Sequence, residues 1–308
     1  MTRVASVVAA LFAAVAVSSG AGWQAPRRAV PRTGARPDDK LLSVKSASKL
    51  VLLWKRQVNE TSRGLTDPLL FGPFVTHRGI KELVFVEDAT GTVYAVDADL
   101  GTVFWSRKLG NDGQPPQERC EDGQMVPLAI SPAPKSKNDD EFENGNKPVY
   151  AFGLDSVLYA LRPSTGEDFA PPLVFVPAGQ RAASLAASAD AVSATTGNCG
   201  APADRLWRIP ASDAGPEPGF VPKSSPLPAG NGKTGASVMS NGVIYSLSLA
   251  ARPVLHAVDA ANGRELYNSG DRIASGSSPG KLALANGHIC FSSSSDATIY
   301  CFGLPFQM

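Results

Sequence analysis

The sequence has almost no net charge: 29 lysines and arginines stand against 28 aspartates and glutamates. A balance of that kind leaves no electrostatic footprint for nucleic acid or for an anionic membrane surface, so neither is expected as a partner. Histidine occurs only three times, as His77, His256 and His288, with no metal-ligand spacing among them. Each reads as a strand or turn histidine. Cysteine occurs four times and never as Cys-x-x-Cys, which argues against a zinc site or a redox-active dithiol. Aromatic residues are scarce at 7%. Beyond the N-terminus no apolar run approaches the ~20 residues that a membrane-spanning helix needs.

The N-terminus is the exception to this evenness. Arg3 supplies a positive flank, residues 4–17 are a nearly unbroken Ala- and Val-rich run, and Ser18-Ser19-Gly20-Ala21 supplies small residues. Residues 1–21 therefore read as a signal peptide cleaved near Ala21. No cysteine precedes Cys120, which excludes acylation of the lipoprotein type. A periplasmic or secreted product without membrane insertion is expected, and export permits disulfides. Residues 22–48 carry Arg27, Arg28, Arg32, Arg36 and several prolines without apolar periodicity, and read as a flexible basic linker. Residues 49–308 are expected to form a single domain.

What is abundant is repetition. Tyr94-Ala95-Val96-Asp97-Ala98-Asp99-Leu100-Gly101 reads as a strand entering a tight turn, followed by a strand that carries Trp105. Worn copies recur, and aligning Ala95, Ala160, Trp207, Ala257 and Cys301 gives spacings of 65, 47, 50 and 44 residues. Repeats of that length built from short strands, with 29 glycines and 25 prolines for turns, are the signature of an all-β fold, a β-propeller of about five four-stranded blades. The last repeat has only three strands. Residues 50–58 form an orphan strand that carries Trp54, so this N-terminal strand is expected to complete the last blade and close the ring.

A propeller tells where chemistry belongs. Glycosidases on this architecture need paired carboxylates, and these would project from the innermost strands, expected at 69–77, 124–130, 182–187, 235–240 and 281–285. Those segments hold no Asp or Glu, which argues against a hydrolase. His77 is the one histidine on an expected channel strand. The acidic insertion 135–147 lacks the alternating ligands and central Gly of calcium loops and reads as a solvated excursion. Asp97, Asp99 and Asp259 precede tight turns and are expected to cap them. Cys199, in Gly197-Asn198-Cys199-Gly200, has no nearby His and reads as a disulfide partner rather than a nucleophile. Cys290 and Cys301 flank a turn at 293–298 symmetrically, which sets them opposite each other at the ~4.5–5.5 Å that a disulfide spans. Cys120 and Cys199 are the remaining expected pair, joining two loops at one end of the molecule. That end, with loops 87–91, 111–123, 196–203 and 272–277, is the expected binding face, and the acidic insertion falls on the opposite end.

The pattern Ala95-x-Asp97-x-x-Leu100-Gly101-x-x-x-Trp105 resembles the Ala-x-Asp-x-x-Thr-Gly-x-x-x-Trp repeat of pyrroloquinoline-quinone-type (PQQ-like) β-propellers. The second copy keeps Ala160, Thr165 and Gly166 but has Arg162 and Ala170 at the Asp and Trp positions. The fourth keeps Ala257, Asp259 and Gly263, with Tyr267 at the aromatic position. The resemblance, over about residues 50–305, implies that each tryptophan docks on a neighbouring blade. Family members usually have seven or eight blades and range from quinoprotein dehydrogenases to non-enzymatic scaffolds. The dehydrogenases hold their quinone under two adjacent cysteines beside a carboxylate-bound calcium. This chain has no Cys-Cys pair, so neither PQQ nor calcium is expected. The expected role is a non-catalytic binding or scaffold protein that meets a protein or small ligand at one propeller face. The alternative is a quinone- or sugar-linked periplasmic oxidoreductase on a degenerate propeller.

Overall fold

The computed structural model describes Asp39 and residues 41–61, 64–110, 125–130, 147–155, 157–175, 181–187, 191–197, 205–212, 215–216, 223–226, 237–248, 252–277 and 279–305. The expected signal peptide, Cys120, Cys199 and most of the acidic insertion lie outside the described residues. The described chain is all-β, with one three-residue 3₁₀ turn at Ala47–Lys49 and no α-helix.

Five antiparallel sheets follow one another along the chain, an arrangement consistent with a propeller. The first orders Leu69–Thr76, Gly79–Glu87, Thr92–Asp97 and Val103–Lys108 side by side; the second orders Ala129–Ile130, Val149–Phe152, Val157–Leu161 and Asp168–Val174. The third is built on Arg181–Ala187, Ala191–Gly197 and Arg205–Ser212, and both Gly215–Pro216 and Lys223–Pro226 pair with the last of these. The fourth runs Ser237–Ser240, Val243–Leu247, Leu255–Asp259 and Glu265–Asn268. The fifth takes Ala283–Ala285, His288–Ser293 and Thr298–Gly303, and adds Val51–Gln57 from the beginning of the chain at its outer edge. That N-terminal strand is antiparallel to Thr298–Gly303, with Trp54 opposite Cys301.

The apolar runs explain the stacking. Leu83, Val84, Phe85 and Val86 are all fully buried, as a strand covered on both faces must be. Alternate residues go to opposite neighbours, following the twofold strand period. Leu83 and Phe85 pack with Val149, Ala151 and Leu161 of the second sheet. Val84 and Val86 pack with Ala283, Cys290 and Ile299 of the fifth. The far side of the second sheet, through Tyr150 and Leu158, meets Leu185 and Val192 of the third. The far side of the fifth, through Phe291 and Tyr300, meets Tyr245 and Leu255 of the fourth. The packing order is therefore third, second, first, fifth, fourth.

Four of the five aligned positions share one register, while Trp207 lies between Ala194 and Ser224 in the third sheet. Ala95 lies between Phe85 and Trp105 on its neighbouring strands, Ala160 between Tyr150 and Ala170, and Ala257 between Tyr245 and Tyr267. Cys301 lies between Cys290 and Trp54. A disulfide between Cys290 and Cys301, with Cα atoms 4.2 Å apart, thus stands where three other sheets set an aromatic ring beside alanine. Both sulfur-bearing residues are wholly buried.

The packed chain starts earlier than the linker boundary drawn at residue 48. Leu42 and Ala47 are buried between the fourth and fifth sheets. Asp39 accepts the backbone N–H groups of Leu41, Leu42 and Gly287, and Asn241 Nδ2 donates to the carbonyls of Asp39 and Leu42. Two apolar side chains and one capping carboxylate anchor this strap, signals too sparse to stand out in an Arg- and Pro-rich stretch.

Candidate functional site

The repeat motif builds the seams between sheets. Asp97 Oδ1 accepts the N–H groups of Asp99 and Leu100, which bends the chain into a turn closed by Gly101 N–H on the Asp97 carbonyl. Gly101 sits at φ +66°, and a Cβ there would lie 2.6 Å from the Trp54 ring. Trp54 Nε1 donates to the Ala98 carbonyl at 2.7 Å, and Arg56 Nε donates to the Gly101 carbonyl at 2.8 Å. The same clasp recurs one sheet on. Trp105 lies over Gly166 and donates to the Pro163 carbonyl at 2.7 Å, while Arg107 donates to the Gly166 carbonyl at 2.9 Å. The two arginines lie outside the repeat motif, although Trp54-Lys55-Arg56 and Trp105-Ser106-Arg107 share a Trp-x-Arg spacing. In the fourth sheet Asp259 caps its turn through Ala261 N–H, and Gly263 has φ +74° with no atom near the place of a Cβ. These residues are architecture.

His288 is the most deeply placed histidine. Its Nδ1 lies 2.9 Å from Glu82 Oε2 and its Nε2 3.2 Å from Asp99 Oδ1, so it bridges the fifth sheet to the first. Asn286 Nδ2 donates to the other Glu82 oxygen at 2.7 Å. Burial draws the imidazole pKa down, but hydrogen bonds to Asp99 and Glu82, with the attraction of both carboxylates, outweigh it and push the value up to about 9. The Asp99 carboxyl is held below its ordinary range chiefly by the same hydrogen bond. With both ring nitrogens donating, the imidazolium keeps no lone pair with which to act as a base. His77 is not on a channel strand: the strand ends at Thr76, and the exposed ring sits on the turn, 5.4 Å from the Phe104 ring centroid. His256 is on the surface, 2.6 Å from Glu265.

A cavity of about 390 Å³ lies among the leading strands of the first, second and third sheets and the lead-in to the fifth. Its walls are largely apolar, with Leu65, Met125, Leu128 and Leu185 among them, and its charged groups are Asp67 and Lys281. Asp67 precedes the first sheet's leading strand, Met125 the second's and Lys281 the fifth's, so at these three sheets the cavity reaches the end where the chain enters the strand, while on the third it runs along Ala183 to Ala187. Ser294, on a hairpin turn of the fifth sheet, lies at the same end. Asp67 Oδ1 accepts the Lys281 backbone N–H at 2.8 Å, and Oδ2 is 3.4 Å from Lys281 Nζ. Asp67 stands outside the expected channel strands because the apolar run that marks the first of them starts only at Leu69. Among the described residues no cluster of three or more His, Cys, Asp or Glu side chains could hold a metal ion.

No protein-family model matches the chain, and no curated protein sequence matches it. Solved structures do. BamB from Moraxella catarrhalis is 14% identical, with 77% of this chain and 71% of that one aligned at a TM-score of 0.32. The quinohemoprotein alcohol dehydrogenase from Comamonas testosteroni is 14% identical over 85% of this chain and 46% of its own length, at a TM-score of 0.39. A europium-containing methanol dehydrogenase is also 14% identical, over 82% of this chain and 51% of its own length, at a TM-score of 0.41. The chain thus spans about half the length of the two dehydrogenases.

Proposed function

We propose that the five sheets are the blades of a propeller completed by Val51–Gln57, and that the chain is an exported, non-catalytic binding protein. It takes a ligand or protein partner at the end where the chain enters the leading strands. The observation that carries this reading is the cavity: about 390 Å³, lined mostly by apolar side chains, with one carboxylate that is already engaged by Lys281. That volume falls within the ~300–1,000 Å³ of small-ligand sites. A pair of carboxylates across the cavity, which glycoside cleavage needs, is not found among its described lining residues. The residues present do not fit a quinone held under adjacent cysteines, since Cys290 and Cys301 come from different strands and are buried inside the fifth sheet. The buried disulfide and the composition of residues 1–21 support export.

The test is twofold, on the full exported chain. Photo-cross-linking from positions 89 and 275, on the turns at the cavity end, is expected to capture a partner, whereas position 78 at the other end is not. A dye-reduction assay with pyrroloquinoline quinone, calcium and a panel of alcohols and sugars is expected to show no turnover. Turnover would replace this reading with the oxidoreductase one.

A further inference from the structure

The proposed binding role leaves open what chemistry the cavity selects, and Asp67 and Lys281 are unequal partners in deciding it. Asp67 is the fixed member: its side chain is only 22% exposed, and the Lys281 backbone N–H holds Oδ1 at 2.8 Å. Gly280 passes so close that a Cβ there would lie 2.6 Å from Oδ1, so the backbone wraps the carboxylate on that side. The lysine side chain is the loose member. It is 56% exposed and its ammonium stands 3.4 Å from Oδ2, longer than a charge-assisted hydrogen bond of ~2.7–2.9 Å. Among the described residues, Oδ2 has no other partner.

From this asymmetry we infer that the cavity takes a small organic ammonium ion, with Asp67 Oδ2 accepting from its N–H and an apolar body resting on Leu65, Leu128 and Leu185. The ligand's ammonium replaces that of Lys281, which swings outward into solvent, where it is already half placed. Little is lost in that exchange, because a long and solvent-exposed ion pair contributes little to stability. The ligand's ammonium gains a carboxylate that is pre-positioned and partly shielded from water, and its body gains apolar contact. An anionic ligand of the same shape meets the Asp67 carboxylate instead, and a neutral alcohol gains only a single uncharged hydrogen bond. This inference rests on the binding reading and specifies its ligand class.

The sign of the lysine effect tests it. Calorimetric titration of the full chain at pH 7 would compare 2-phenylethylamine, 2-phenylethanol and 3-phenylpropionate as probes. The amine is expected to bind at least about tenfold more tightly than either analogue, as loss of a charged hydrogen bond implies. Asp67→Asn should weaken the amine by roughly tenfold to a hundredfold. Lys281→Met keeps the backbone N–H that holds Asp67 but removes the competitor, and should tighten the amine several-fold. Should Asp67→Asn fail to fold, Lys281→Met still decides. Weaker amine binding in Lys281→Met, preference for 3-phenylpropionate, or no binding of any probe would each overturn the ammonium assignment. The binding role itself is judged separately, by the cross-linking from positions 89 and 275.

Discussion

Replacing Gly101 with alanine measures what the tryptophan clasp contributes. The residue has φ +66°, and an added Cβ would lie 2.6, 2.7 and 2.9 Å from three atoms of the Trp54 ring. The left-handed backbone alone costs an alanine ~1–2 kcal/mol. The ring must also retreat by several tenths of an ångström or more, which breaks the 2.7 Å bond from Trp54 Nε1 to the Ala98 carbonyl. Losing that bond costs ~0.5–1.5 kcal/mol, and disturbing the ring's packing adds an overpacking term of ~1–3 kcal/mol. The expected total is about 2.5–6.5 kcal/mol. Gly263 provides the control, because it has φ +74° but no atom within 4 Å of the Cβ position. Gly263→Ala should therefore cost only the backbone share, about 1–2 kcal/mol. Urea unfolding followed by tryptophan fluorescence and circular dichroism reads both values. Combining Gly101→Ala with Trp54→Ala removes the clash, so the pair should be less destabilising than the sum of its single changes. Equal losses at the two glycines, or simple additivity in the double variant, would refute the clasp as the reason for glycine at 101.

Deleting residues 51–57 removes the outer strand of the fifth sheet together with Trp54, and should lower the melting temperature in a single cooperative transition; unfolding unchanged from the intact chain would contradict the pairing. Cys290→Ala with Cys301→Ala opens an 11-residue separation and should cost less than the ~3 kcal/mol estimated for a 15-residue loop plus the loss of packing, checked by denaturant unfolding beside non-reducing peptide mapping. His288 titrates near 6.5 when unfolded and about 9 when folded, so its contribution is complete below pH 6.5 and disappears as pH rises through about 9. The loss amounts to about 3 kcal/mol. Unfolding curves at pH 6 and pH 9.5 should show it in the parent chain and not in His288→Gln; a parent chain that gains stability on the alkaline side relative to that variant would reverse the assignment.

The framework of sheets is legible in the sequence because it rests on local signals. Ala95, Ala160 and Ala257 each precede a glycine turn by six residues, at Gly101, Gly166 and Gly263, and they occupy one register position that Cys301 shares through its pairing with Cys290 and Trp54. The mutual register of Cys290 and Cys301 follows from their symmetric placement about a tight turn. The site was less legible because its residues sit where such periodicity stops. Asp67 lies two residues before an apolar run, and the sequence gives no sign that Lys281, more than 200 residues later, comes to meet it. Glu82 reads as one polar residue in an apolar strand, and only the packed fifth sheet supplies its partner, His288. His77 reads as part of a strand that ends one residue earlier, because nothing in Val75-Thr76-His77 announces the turn.

The strand Val51–Gln57 also sets a clock. Leu52 pairs with Phe302, 250 residues later, so the fifth sheet cannot be completed until Phe302 has been made. At ~5–20 residues per second of synthesis, Phe302 is made roughly ten to fifty seconds after Leu52, which sets the least time the early strand waits for its partner. Through that interval Trp54 has no Cys301 beside it and the strand's backbone is an open edge, the kind that recruits the wrong neighbour. A seam closed between residues so far apart in sequence is exposed to error, and keeping the early strand from the wrong neighbour until residues 298–303 arrive becomes part of how this protein reaches its folded state.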